Sequence, residues 1–108
     1  MEKDIRTKIK EELDKIPFSE WLISPPGTQT GEPDIRGTAR CLNGRLVLIE
    51  VKQLKKQGGR APRKSQNYRM ARWRRSGALT LVMESVEDVM YWINGLPKED
   101  SWIGKYTS

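Results

Sequence analysis

The apolar run Leu-Val-Leu-Ile at residues 46–49 constrains the fold more than any other stretch of the chain. It predicts a buried β-strand over residues 45–52, and this strand ends with Glu50 and Lys52. Side chains two apart in a strand share a face, so these two charged groups point to the same side. Glu-x-Lys alone is a weak motif, because any half-buried strand alternates charged and apolar residues. A charged pair at the end of so apolar a strand nevertheless requires a reason.

A helix and a second strand are predicted before this buried strand. Ile and Leu recur at helical spacing between residues 4 and 16, which predicts an amphipathic helix that ends at Pro17. Residues 34–42 predict a strand, and Asn43-Gly44 predicts a type I′ turn that joins it to the buried strand. A β-hairpin is the expected result.

A helix, a strand and a last helix are predicted after it. Residues 65–75 predict a helix that Ser65 caps and that stops before Gly77, and residues 78–83 predict a second buried strand. Ser85 and Asp88 are spaced as in a capping box, and the helix that follows has an apolar face made of Val86, Val89, Met90 and Ile93. This order predicts a single α/β domain over residues 1–108, with a small mixed sheet flanked by helices and a last strand parallel to the central one.

The hairpin prediction raises a difficulty of register. A two-residue turn sets Gly37 opposite Glu50 and Ile35 opposite Lys52, so Asp34 faces away from Glu50. Two alternatives restore the shared face. Either a bulge interrupts the first strand, for which Gly37 is the candidate, or Asp34 lies before the pairing starts and curls inward.

Positive charge is concentrated in one segment. The net charge is +6 with a pI near 9.7, which suggests a polyanionic partner. Between Val51 and Met83 there is no acidic residue, whereas ten residues are basic: Lys52, Lys55, Lys56, Arg60, Arg63, Lys64, Arg69, Arg72, Arg74 and Arg75. The plainer interpretation is a solvated basic surface, although such surfaces normally mix both signs.

The available side chains restrict the chemistry to hard ligands. The chain has no histidine and a single cysteine, Cys41, which excludes an internal disulfide, the usual zinc sites and histidine-based catalysis. Asp34 and Glu50 are carboxylates from separate segments that can hold Mg²⁺ or Mn²⁺, with the carbonyl of Val51 as a further ligand. Lys52 can stabilise charge on the attacking water or on phosphoryl oxygens. This set suits the hydrolysis of a phosphodiester.

These residues resemble the PD-(D/E)xK nucleases, and within them the VRR-NUC type found in phage and bacterial proteins and in a eukaryotic DNA-repair nuclease. The resemblance covers nearly the whole chain and rests on five motifs: Gly31-Glu32-Pro33-Asp34-Ile35, Leu48-Ile49-Glu50-Val51-Lys52, Ser65-Gln66, Gly77, and Glu84-Ser85-Val86-Glu87-Asp88.

The resemblance implies a restriction-endonuclease-like core, Mg²⁺ or Mn²⁺ bound by Asp34 and Glu50, and assistance from Lys52. It implies that Gln66 lies beside the site and that an acidic residue of the first helix joins it. Glu2 matches that position best, although an acid in the first turn also favours the helix dipole.

DNA is the implied substrate, bound through seven basic residues: Lys55, Lys56, Arg60, Arg63, Lys64, Arg69 and Arg72. The resemblance includes standalone viral members thought to act on four-way (Holliday) junctions, which favours a homodimer. The alternatives are a nicking or flap nuclease of replication and repair, and a non-catalytic nucleic-acid-binding module. The absence of an apolar stretch long enough for a signal peptide or a membrane span leads us to expect a cytoplasmic protein.

The remaining large side chains are expected to be structural. Met70 and Trp73 share a helix face with Gln66 and are predicted to lie in the core. The other three tryptophans are predicted to be core or interface residues: Trp21, Trp92 and Trp102.

Overall fold

Four strands in chain order form the sheet of the computed structural model, which describes residues 4–25, 32–52 and 64–97, with side chains from residue 68 onward in the last range. The elements are α1 (Ile5–Leu13), β1 (Ser19–Ile23), β2 (Ile35–Ala39), a 3₁₀ turn (Arg40–Leu42), β3 (Val47–Val51), α2 (Lys64–Arg75), β4 (Leu79–Met83) and α3 (Val86–Asn94). β1, β2 and β3 pair antiparallel. β4 pairs parallel to β3 after the α2 crossover, as predicted.

The predicted hairpin is correct in its turn and wrong in its strand ends. Asn43 and Gly44 both have positive φ, 60° and 71°, as a type I′ turn requires. The first strand, however, stops at Ala39 and does not reach Leu42, because a 3₁₀ turn intervenes. The connection between β2 and β3 is therefore longer than two residues.

The longer connection changes the register and removes the difficulty over Asp34. Ile35 pairs with Ile49, and Gly37 pairs with Val47. The observed pairing is shifted from the predicted one by an odd number of residues, and such a shift moves a side chain to the other face of the sheet. Asp34 therefore lies level with Glu50 and on the same face. The proposed bulge at Gly37 is wrong, since Gly37 lies in regular pairing between its two neighbouring strands.

The sequence analysis leaves residues 18–23 unassigned, and the structure forms β1 there. Trp21 is 2% exposed on one face of β1, while Leu22 on the other face is 58% exposed. The segment is five residues long and follows Pro17 and Phe18, so its alternation is too short to be distinguished from a loop.

Helix boundaries differ slightly from the predicted ones. α1 ends at Leu13 rather than at residue 16, and α2 begins at Lys64, so Ser65 lies inside the helix instead of capping it. The cap of α3 is as predicted: Ser85 Oγ accepts from the Asp88 N–H at 3.2 Å.

Two hydrophobic clusters lie on the two faces of the sheet. α1 and α3 cover one face, where the buried side chains include Ile9, Leu13, Trp21, Ile35, Val47, Ile49 and Val89. α2 covers part of the other face through Met70, which packs with Leu48 and Ala78. None of the helices within these residue ranges is long and apolar enough to cross a bilayer.

Three predictions about large side chains have different outcomes. Trp92 packs against the core with its ring edge on Trp21, at 6.3 Å between centroids, so the core interpretation holds for both residues. Trp73 is 36% exposed and Met90 is 48% exposed, so neither is the core residue that its helical spacing predicted. Trp102 lies outside the described residues.

Candidate active site

Asp34 is held just before β2 by hydrogen bonds to two neighbouring segments. Its N–H donates to the carbonyl of Ile49 at 3.1 Å, and its own carbonyl accepts from the Ser24 N–H at 2.8 Å. Its carboxylate Oδ2 accepts from the Val51 N–H at 2.8 Å. Backbone and side chain together therefore fix Asp34 against the end of β3.

Glu50 lies beside Asp34 on the same face of the sheet. Its neighbours Ile49 and Val51 point to the opposite face and pack in the core, as the alternation of a strand requires. Glu50 is only 8% exposed, and it is the one charged side chain classed as buried within the described part of the chain. A buried carboxylate requires hydrogen-bond donors or positive charge around it, and a bound cation is one group that would meet this requirement.

Lys52 directly follows β3 and continues its ladder. Its N–H donates to the carbonyl of Met83 at 2.8 Å, which extends the pairing with β4 by one residue. The alternation therefore places the half-buried Lys52 on the same face as Glu50, as predicted.

Val51 was predicted to offer its carbonyl to a metal and its side chain to the core. The side chain does pack against the core. The structure adds a role for its backbone N–H, which orients the carboxylate of Asp34.

The acidic set within the described residues is a pair. No three Asp, Glu, Cys or His side chains in residues 4–25, 32–52 and 68–97 group closely enough to hold a metal ion. Asp34 and Glu50 are thus the two acidic side chains that could hold a metal within these residues, and the predicted third acid, Glu2, lies outside them.

Sequence reasoning missed a cation on α1. The Arg6 guanidinium forms an ion pair with Asp4 at 3.2 Å, and this hydrogen-bonded contact raises the pKa of Arg6. The charge of Asp34 raises it further, which places Arg6 within electrostatic range of the site. The same contact with Arg6 lowers the pKa of Asp4. The residue of α1 whose charge interacts with Asp34 is thus a base, whereas the resemblance implied an acid on this helix.

Two basic residues of α2 that are predicted to bind DNA have partners within the chain. Arg69 forms an ion pair with Glu32 at 3.5 Å, which ties α2 to the segment that leads into Asp34. The Arg72 guanidinium lies 5.8 Å from the ring centroid of Tyr68. Of these two predicted DNA-binding residues, Arg72 is exposed and Arg69 is half-buried.

For the other predicted site residues the structure describes the backbone alone or nothing. Lys64 and Gln66 are in α2, but their side chains lie outside the described set. Four predicted DNA-binding residues fall wholly outside the described ranges: Lys55, Lys56, Arg60 and Arg63.

Comparison with known proteins finds a likeness in structure and none in sequence. No protein-family model matches the chain, and no curated protein matches it. Among solved structures, a chain described as a VRR_NUC domain aligns with a TM-score of 0.64 and 22% sequence identity, over 84% of this chain and 91% of that chain. At this identity the likeness concerns the fold. The chain therefore has the fold of a VRR_NUC domain, a small mixed sheet flanked by helices, as its motifs predicted.

Proposed function

We propose that the chain is a metal-dependent nuclease that hydrolyses phosphodiester bonds in DNA. One observation carries the proposal: the register of β2 and β3 sets Asp34 beside Glu50, with Lys52 on the same face. The fold of a VRR_NUC domain supports it.

The donor set fits Mg²⁺ or Mn²⁺. Two carboxylates from different strands suit a hard divalent cation, and the burial of Glu50 favours positive charge beside it. Such an ion, when bound, neutralises phosphate charge and lowers the pKa of a bound water. Asp34 and Glu50 would hold it, with the Val51 carbonyl as the predicted further ligand.

The protein groups have separate tasks in this proposal. The Val51 N–H fixes one oxygen of Asp34, so the carboxylate is oriented before any ligand arrives. Glu50 is held by the parallel pairing of β3 with β4, where it lies opposite Val82. Lys52 provides an ammonium group that stabilises negative charge developing on the phosphoryl oxygens.

A cleavage assay tests the proposal. Purified protein is incubated with Mg²⁺ or Mn²⁺ and labelled linear, flap and four-way DNA, with matched RNA and an EDTA control, and the cuts are mapped. We expect metal-dependent cleavage of DNA, with branched substrates cut in preference to linear duplex. A chain that binds DNA but cuts none of these substrates with either metal would instead be a non-catalytic binding module.

The preference for branched DNA is the finer part of the proposal. A domain this small offers basic surface but no separate module to read base sequence, so recognition by backbone and shape is favoured. Cleavage at flaps or single nicks, without symmetric cuts at a four-way junction, would support the alternative repair nuclease.

We predict that DNA binding weakens steeply with salt and that α2 contributes to this dependence. Each phosphate neutralised contributes about −0.9 to the slope of log K against log salt, so replacing Arg69 and Arg72 with Ala should make the slope less negative by up to about 1.8. Fluorescence anisotropy in EDTA measures it. Glu32→Gln is the matched control, because it releases Arg69 without removing a cation and should not flatten the slope. An unchanged slope in the double variant would place the DNA elsewhere.

We also predict a two-fold homodimer that places two sites on one branched DNA. Trp21 and Trp92 pack within the chain, whereas Trp73 is exposed and available to an apolar interface, and Trp102, outside the described residues, stays a candidate from the sequence alone. Light scattering should give about twice 12.5 kDa. Hybrids of wild-type and Glu50→Gln chains should nick one strand of a junction. A stable monomer that cuts both strands would contradict the dimer and leave the nuclease proposal intact.

A further inference from the structure

Part of one sheet face carries exposed side chains next to the candidate site, and none of the described helices packs on that part. α2 packs on this face through Met70, above Leu48 of β3. On the neighbouring strands of the same face, Leu22 of β1 is 58% exposed and Arg36 of β2 is exposed. Leu22, Arg36 and Leu48 are neighbours across the three strands, because Arg36 pairs with Leu22 on one side and with Leu48 on the other. The open area therefore begins where the cover of α2 ends.

Arg36 shares its face with both carboxylates of the site. It follows Asp34 by two residues, so the two side chains project to the same side with their Cα atoms about 7 Å apart. Its cross-strand partner Leu48 precedes Glu50 by the same spacing. A guanidinium thus lies one strand repeat away from the proposed metal ligands.

Six arginines have a partner among the described residues, whereas two described arginines, Arg36 and Arg75, do not, and of these two only Arg36 lies on the sheet face of the site. The partnered set comprises Arg6 with Asp4, Arg40 with the Phe18 ring, Arg45 with the Gly77 carbonyl, Arg69 with Glu32, Arg72 with the Tyr68 ring, and Arg74 with Thr80. Within the described ranges Arg36 forms no ion pair, although Glu20 lies diagonally across from it on β1. Its five donors therefore remain available to a ligand.

We propose that Arg36 is a substrate-binding residue. Its guanidinium binds a phosphate of the nucleic-acid strand that is next to the scissile phosphate. The planar guanidinium fork matches phosphate oxygens, and the nearby exposed Leu22 offers apolar contact to a sugar. In this proposal the nucleic-acid strand crosses the exposed part of the sheet face, with Arg36 on one side of it and Arg69 of α2 on the other. This inference rests on the proposed function and specifies how the backbone is recognised.

Two substitutions and a matched control test the role of Arg36. Arg36→Ala removes the guanidinium, and Arg36→Lys keeps the charge without the fork. Arg40→Ala makes the same change of net charge about 20 Å from Asp34, at the far end of β2. Thermal unfolding of each variant verifies folding, and Arg36→Lys serves if the alanine variant does not fold.

Binding of labelled DNA is measured in EDTA at several salt concentrations, and KM and kcat are measured with Mn²⁺. For Arg36→Ala we expect about tenfold weaker binding, a slope of log K against log salt less negative by about 0.9, and a larger change in KM than in kcat. Arg36→Lys should retain the slope and lose part of the affinity. Arg40→Ala should bind as the wild type does.

Wild-type affinity and KM in Arg36→Ala, or an equal loss in Arg40→Ala, would overturn the role of Arg36. If Arg36→Lys is the variant that folds, wild-type affinity and KM in it would overturn the role of the fork. A wild-type protein that binds DNA without cutting it would overturn the proposed nuclease, while the EDTA measurements would still decide whether Arg36 holds the phosphate backbone.

Discussion

Asp34→Asn, Glu50→Gln and Lys52→Ala are each expected to lower the rate of DNA cleavage by about 10²–10³, with DNA affinity largely retained. Each change removes a proposed metal ligand or a stabilising charge and leaves the exposed basic residues of α2 in place. Asn at position 34 keeps a side-chain oxygen that can accept from the Val51 N–H, so its loss of activity would reflect lost charge rather than a displaced segment.

Single-turnover cleavage with saturating protein separates the rate of the chemical step from binding, and thermal unfolding confirms that each variant is folded. Glu87→Gln is the matched control, because Glu87 is an exposed acid of α3 on the opposite side of the sheet. It should cut at the wild-type rate. Wild-type cleavage by Asp34→Asn, Glu50→Gln or Lys52→Ala would show that the assignment of that residue is wrong.

The local chemistry of the site could be predicted because it follows from the alternation of one strand. Glu50 and Lys52 share a face as soon as the apolar run before them is taken as a strand, and the structure places them so. The parallel return of β4 follows from the rule for crossover connections. Both inferences are possible from the sequence because they need only a short segment or a general rule for the handedness of crossover connections.

The register between β2 and β3 could not be predicted, because it depends on a non-local choice. The turn residues Asn43 and Gly44 adopt the conformation that their types favour, but the 3₁₀ turn before them shifts the pairing. Asp34 does lie just before the pairing starts, as one of the two alternatives had it, but the shifted register that sets it level with Glu50 comes from the longer connection. The conformational preferences of Asn43 and Gly44 explain their turn. The 3₁₀ turn that sets the register is accompanied instead by the packing of Cys41 into the core.

Partners that are distant in sequence were also missed. The ion pair of Arg69 with Glu32 joins α2 to the segment before β2, and no spacing rule connects those positions. Arg6 was overlooked for a similar reason, since its influence on Asp34 depends on how α1 lies against the sheet. Strand β1 went unassigned because five residues carry too little periodicity.

Gly37→Ala is expected to destabilise the protein by about 3 kcal/mol, near the upper end of the cost of overpacking a core. Gly37 lies in β2 opposite Trp21 of β1, and a methyl group there would meet both the Trp21 ring and the backbone carbonyl of Glu20. The ring is itself 2% exposed and in edge contact with Trp92, so it has little room to move.

Thermal and urea unfolding measure this loss, which corresponds to a fall in Tm of roughly 10–20 °C for a domain of this size. Gly95→Ala is the control, because its methyl group would meet only the Trp92 carbonyl at an ordinary 3.5 Å. It should change stability by less than about 0.5 kcal/mol. Since β2 carries Asp34 at its start, we expect Gly37→Ala to lose cleavage activity together with stability. Wild-type unfolding of Gly37→Ala would mean that the Trp21 ring does not cover Gly37.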